Sequence, residues 1–345
     1  MRPGNLRVLA GRLASYELFA VLFLTLAVLA RPQWGVVALG ILSLVWIARW
    51  LATGRLSVRT PLDWCLVGLA LALPAALWIS ADLPLSIGVA AQLVVSLGLY
   101  YAVANSAAFG WQATAAVALV VASGAGLALV GLVGVVRSGS QALRLPQQTI
   151  DLPAPFDIHV NVLATALVLI LPLAISLALM PRASNASSDR PWPLRGRLAA
   201  GAAAALMSVT LLLTQSRGAY AAVFAAGGLM AAMRWRAARW VVLALALLGT
   251  IAWWLAGDRL SGLLLAGVVG REAVWERALY AIADFPFSGI GLGLFGRVAP
   301  LLYPYFDVGA GPLSQAPHAH DLFLQVAVDT GLLGLISFLA VLLAS

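Results

Sequence analysis

Apolar residues fill long runs along this chain, and polar residues are largely confined to the intervals between them. The runs lie at 15–30, 33–50, 62–80, 84–104 and 112–136, and again at 159–180, 198–216, 218–233, 240–257 and 322–344. Each is close to the roughly 17 to 25 residues that a helix needs to cross about 30 Å of hydrocarbon. In lipid every backbone N–H and C=O must be satisfied internally, so the pattern predicts helices and not open strands. Pro74 and Pro172 fall inside two of the runs and predict kinks there. The expected fold is all-α, a polytopic integral membrane protein of about ten transmembrane helices forming one membrane domain over 1–345. A shorter outer loop is expected at 137–158, and a large one at 258–321 that contains interfacial helices.

Composition agrees with that pattern. At 62% hydrophobic and 10% charged, the chain holds more apolar surface than one water-soluble core of this length hides, so its main partner is the lipid bilayer. The net charge of +8 comes from 21 arginines and no lysine. These arginines sit in short intervals between apolar runs, which fits topology signals and anionic lipid substrates and leaves no case for nucleic acid. Cys65 is the single cysteine and lies in an apolar run, so neither an intrachain disulfide nor a CxxC metal site exists.

The arginines also orient the chain. With the N-terminus inside, Arg2, Arg7 and Arg12, Arg49, Arg55 and Arg59, the group at 182–197, and Arg234, Arg236 and Arg239 all face the cytoplasm, as short cytoplasmic loops require. The first run has a basic start and small residues before Arg31, but its length favours a retained helix over a cleaved signal peptide. The sequence stops at Ser345 directly after an apolar run, which suggests a longer protein with further helices.

Chemistry then concentrates on the outer side. Arg217, in TQSRGAY, lies between two closely spaced apolar runs against the positive-inside trend, and ionisable residues at such depth are costly and usually functional. GREAVWERALYAIADFPF carries Val274, Ala278, Tyr280, Ile282 and Phe285 at helical spacing, and Arg271 and Trp275 are four apart and share a face. FSGIGLGLFG holds three alternate glycines, yet no strand precedes it, so a dinucleotide site is a poor reading. PHAHDLFLQ places His318 and His320 two apart with Asp321 adjacent, where the chain returns to the membrane, and His159 begins another run on the same side. Two readings stand for these histidines: acid/base work by one imidazole, or a metal held by several imidazoles and Asp321. The lack of an accompanying glutamate and the few nearby acids favour the first, so neither metal nor cofactor is expected.

On these residues the chain resembles the O-antigen ligase and polymerase family of bacterial envelope glycosyltransferases. HVNVLATALVLILPLA resembles the family helix that holds an asparagine and a later proline, here Asn161 and Pro172, and LTQSRGAYAA its serine-arginine-glycine turn, with Arg217. REAVWERALYAIADFPFSGIGLGLF is similar to the arginine-tryptophan helix and glycine turn of the large periplasmic loop, with Arg271 as the second arginine. HDLFLQVAVDTGLLG is similar to the ligase pattern of a histidine, a polar residue, nine residues and Gly-x-x-Gly, giving His320, Gly331 and Gly334, with Asp321 where an amide or serine is usual. Asp321 there either raises the pKa of His320 or caps the helix.

The resemblance implies an inverting, metal-independent transfer of a glycan from undecaprenyl diphosphate to an acceptor hydroxyl, such as that of lipid A core or another glycan, at the periplasmic face of the inner membrane. Arg217, Arg271 and His320 would be catalytic, with His318, His159, Asn161, Trp275 and Asp321 binding substrate. Within the family, a polymerase is the alternative. Outside it stand a transporter, whose broken helices would carry charge at the midplane, and a lipid-diphosphate metallohydrolase, whose histidines would bind metal.

Overall fold

The computed structural model describes residues 3–106, 110–137, 149–150, 158–180, 193–264, 271–304 and 316–344. Among the described residues the regular elements are helices except for one antiparallel pair, β1 (Thr149–Ile150) with β2 (Ile158–His159), in which Thr149 stands opposite His159. The rest of the expected loop at 137–158 lies outside the described residues. Two compact units divide the chain, 1–113 with 258–345, and 114–257.

The first unit contains α1 (Pro3–Ser15), α2 (Glu17–Ala30), α3 (Gly35–Thr53), α4 (Asp63–Trp78) and α5 (Leu83–Ser106). To these it adds α11 (Arg271–Asp284), α12 (Phe295–Leu302) and α13 (Leu322–Ala344). Helix α13 lies along α4 and α11, and α3 packs on α1 and α5. Small residues permit this closeness: a Cβ on Gly35 would stand 2.7 Å from that of Ala91, and one on Gly68 would overlap the Ser337 hydroxyl. Outward faces are apolar instead, with Trp78 91% exposed, as expected where lipid is the solvent.

The second unit contains α6 (Gly110–Arg137), α7 (Val160–Ala178), α8 (Leu194–Leu213), α9 (Arg217–Arg234) and α10 (Arg236–Leu264), α6 and α10 crossing its limits. Its core sets Leu163, Leu167 and Leu171 of α7 against Met207 and Leu211 of α8 and Ala128 of α6. Pro74 and Pro172 both lie inside continuous helices, α4 and α7.

All ten apolar runs are helical, but fewer meet the test for crossing a membrane. Among the described residues six helices are long and apolar enough, or seven if α1 and α2, bent by 52° at their junction, form one span. Helix α4 has only 16 residues, and α9 is closed at its ends by Arg217 and Arg234. The side chains of α10 beyond Ile251 lie outside the described residues.

One ion pair is buried within the apolar runs: Glu17 of α2 is paired with Arg49 of α3 at 2.7 Å, both well covered. Asn105 of α5 joins them, donating to Glu17 at 3.1 Å and accepting the Val58 amide at 3.0 Å. At the other end of α5, Ser86 donates to the Leu292 carbonyl at 2.9 Å. With a rise of about 1.5 Å per residue, Ser86 and Asn105 stand about 28 Å apart, so the arginine cluster and the glycine turn occupy opposite ends of this unit.

Candidate active site

In the first unit the site is assembled on a break in α13. Gly331 has φ 71 and ψ −174, values no helix accommodates, and the run that reads as one apolar segment is two helical pieces meeting there. The freed backbone groups are not left bare. The glycine turn between α11 and α12 wedges into the break, where the Ile290 amide donates to the Val328 carbonyl at 2.8 Å and the Leu332 amide to the Pro286 carbonyl at 2.7 Å. Irregular backbone within an apolar span is tolerated only when protein satisfies it in this way. Space explains the glycines: a Cβ on Gly331 would strike the Phe287 carbonyl, and one on Gly289, at φ 67, would overlap that of Val328. Gly334 makes room for Thr330, whose hydroxyl bonds back to the Val326 carbonyl at 2.6 Å.

The wedge is fixed from its other side as well. Gly291 and Gly293 have φ 102 and 70, and their neighbours are Ser80 and Val89 beside the α4–α5 turn. Arg297 at the start of α12 pairs with Asp82 of that turn.

Above the break, the histidine segment rests on the same core. Ala316 and Ala319 are buried with Val274, Ala278 and Ala281 of α11, Phe295 and Ala299 of α12, and Ile290. Ala319 is fully covered while His318 is exposed and His320 half-buried, so the alanine anchors the segment and both imidazoles remain outside the core. Their ring centroids are 4.3 Å apart and tilted by 44°. His320 has φ 53, a left-handed conformation uncommon for any residue but glycine, although histidine is among those enriched there. Simple extended alternation therefore does not account for the paired rings.

Asp321 follows, and its Oδ1 accepts the Leu324 amide at 2.9 Å, three residues on, which is the bond of a helix N-cap. The capping bond of the second reading is thus present. Among the described residues no three His, Cys, Asp or Glu side chains are grouped to hold a metal ion.

Helix α11 presents Arg271 and Trp275, both half-buried, one turn apart. The indole Nε1 of Trp275 is buried and has no hydrogen-bond partner among the described residues, a condition that calls for an explanation in any native protein. Tyr280 is half exposed and Phe285 lies at the surface, so the inward face is Val274, Ala278 and Ala281, with Arg277 buried beside them. Asp284 accepts the Tyr303 hydroxyl at 2.6 Å, and burial together with this bond raises the phenol's pKa above its ordinary value.

The second unit holds the other predicted residues. Arg217 opens α9 directly after Ser216, whose hydroxyl donates to Asn161 Oδ1 at 3.1 Å. Two motifs separated by 55 positions are thus joined by one hydrogen bond. Gln215, just before, has φ 52 and makes the tight turn. The side chains of Arg217 and His159 lie outside the described residues; His159 itself ends β2, immediately before α7.

Residues 202–339 match the family model described as O-antigen ligase. Over that segment the chain is similar to the O-antigen ligase family. The matched segment takes in Arg217, α11, the glycine turn, both histidines and the break at Gly331, and leaves out His159 and Asn161. With its several membrane-length apolar helices, the chain is a multi-pass membrane protein, and the matched segment points to an enzyme of the O-antigen ligase or polymerase type. No curated protein and no solved structure matches it significantly.

Four features of the first unit were passed over at the level of sequence: Gln325, Asp329, the buried Arg277 and the Arg297–Asp82 pair. Gln325 and Asp329 left a readable signal, being polar residues four apart in an apolar run.

Proposed function

We propose that this protein is a glycosyltransferase of the bacterial inner membrane that moves a glycan from an undecaprenyl-diphosphate carrier to an acceptor hydroxyl, working at the periplasmic face. The observation that carries the reading is the pair of imidazoles held at the head of a broken span, on a core shared with the arginine-bearing α11. The orientation is supported by the arginine cluster around Arg49, Arg55 and Arg59, which lies at the opposite end of the first unit.

In this reading His320 is the general base. The acceptor oxygen attacks the anomeric carbon and its proton passes to the imidazole. The bond from that carbon to the diphosphate oxygen breaks, and the carrier leaves as undecaprenyl diphosphate with inversion. Imidazole is the side chain whose intrinsic chemistry best suits such a proton transfer near neutral pH. Negative charge develops on the diphosphate, and Arg217 and Arg271 bind its oxygens through planar, permanently charged guanidinium groups. The unpartnered Trp275 indole adds a donor one turn from Arg271. His318, His159 and Asn161 contribute to holding the sugars.

The test is reconstitution of the purified protein in liposomes with an undecaprenyl-diphosphate-linked glycan and a lipid A core acceptor. The expected product is glycan joined to lipid A core, formed at the same rate in the presence of a chelator. Elongated carrier-linked glycan would instead identify a polymerase, and loss of activity on chelation with recovery on added metal would overturn the mechanism.

A further inference from the structure

The strongest unassigned feature of the first unit is a chain of hydrogen bonds from inside α13 to the backbone between the two histidines. Asp329 Oδ1 accepts from Gln325 Nε2 at 2.8 Å and from the Gly293 amide at 3.2 Å. Gln325 Oε1 in turn accepts the Ala319 amide at 2.7 Å. Ala319 is the residue whose flanking side chains are His318 and His320.

We propose that Gln325 and Asp329 are positioning residues that set the two imidazoles by fixing the Ala319 amide, a role that rests on the reading of His320 as the base. The chemistry is directional. A glutamine amide can present either its oxygen or its NH₂ to a neighbour, and only the surrounding bonds decide which. Because Asp329 Oδ1 already receives the Gly293 amide, it acts as an acceptor, so Gln325 must turn its NH₂ toward it. That leaves Oε1, and not a second donor, facing the Ala319 N–H. Without Asp329 the NH₂ end of the amide is untethered, and the oxygen that holds the Ala319 N–H beneath the histidines is no longer fixed in place.

Two further observations give the relay this purpose. His320 occupies a left-handed conformation that a non-glycine residue keeps only where its surroundings hold it, and the relay ends one residue before it. An ionisable side chain within an apolar span is costly, and Asp329 sits two residues from the break, where it reaches the glycine turn and α13 together. It therefore couples the wedge to the histidines.

The experiment measures kcat and donor KM in reconstituted Asp329→Asn, Asp329→Leu, Gln325→Leu and the Asp329→Leu/Gln325→Leu double variant. Asparagine retains an acceptor oxygen, so Asp329→Asn should stay within about threefold of wild type. A misplacement of about 1 Å can cost on the order of 100-fold, so each leucine variant should lose about 10- to 100-fold in kcat with donor KM unchanged. The double variant should be no slower than the slower single one, because both break one chain. Should Asp329→Leu fail to fold, Gln325→Leu and Asp329→Asn still decide. Wild-type kcat in Gln325→Leu, or equal losses in kcat and affinity, overturns the relay. A His320→Ala variant with near-normal rate would instead overturn the underlying assignment of the base, which keeps the two failures distinct.

Discussion

The Ile290 amide donates to the Val328 carbonyl at 2.8 Å, and that bond closes one side of the break in the last helix. It links the glycine turn to the span that carries the histidines at its head, so the stability of the break and the placement of the site are one problem.

Substitution at the break should therefore destabilise the protein. Alanine at Gly331 or Gly289 puts a Cβ in a left-handed conformation, costing about 1 to 2 kcal/mol, and also drives it into a carbonyl. The melting temperature in detergent should fall clearly for both, while Gly40→Ala, where a Cβ meets nothing, should leave it unchanged or raise it. Wild-type melting of Gly331→Ala would contradict the described break.

Asp321 offers a separation of roles. If it serves as the cap, Asp321→Asn keeps an accepting oxygen and should leave both stability and the pH profile of transfer unchanged. Asp321→Ala should cost about 1 kcal/mol of stability. A shifted pH profile in the asparagine variant, with stability intact, would mean that its charge acts on His320.

How far the sequence reaches is visible at α13. Its start could be read, because an acidic residue before an apolar run is a cap signal, and the histidines stood out because all three fall on one side of the arginine pattern. The break could not: Gly-x-x-Gly in an apolar run is equally a close-packing motif, and only the distant Pro286 and Ile290 reveal what the glycine accommodates. The number of membrane-length helices among the described residues, six or seven beside the ten apolar runs, has a similar reason. Length and hydropathy are local, whereas α4 stops at 16 residues in a turn where Ser80 bonds Ser86, which reaches the Leu292 carbonyl, and Asp82 pairs with Arg297, both from far along the chain. The pairing of Asn161 with Ser216 likewise joins two motifs by tertiary contact alone.

Topology can be checked through the two ends of the first unit. In a Cys65→Ser background, Ser57→Cys beside the arginine cluster should react with a membrane-impermeant maleimide only after the cytoplasmic side is opened. Leu301→Cys, on exposed α12, should react in intact spheroplasts. Labelling of both from one side would contradict the placement of the site at the outer face.

Arg217 and Arg271 are predicted to need their fork geometry and not charge alone. Replacing either by lysine should lower transfer strongly while expression and membrane insertion persist. Normal transfer in both lysine variants would exclude bidentate diphosphate binding as a requirement.

The central claim is that His320 takes the acceptor proton, and the most direct measurement compares transfer rates of His320→Ala and His318→Ala with the lipid-linked donor at saturation. General-base assistance supplies about 10²- to 10⁴-fold, so His320→Ala should fall by that order while still binding donor, and His318→Ala should lose only part of the rate. A His318→Ala enzyme without activity beside a His320→Ala enzyme near the wild-type rate would contradict the account.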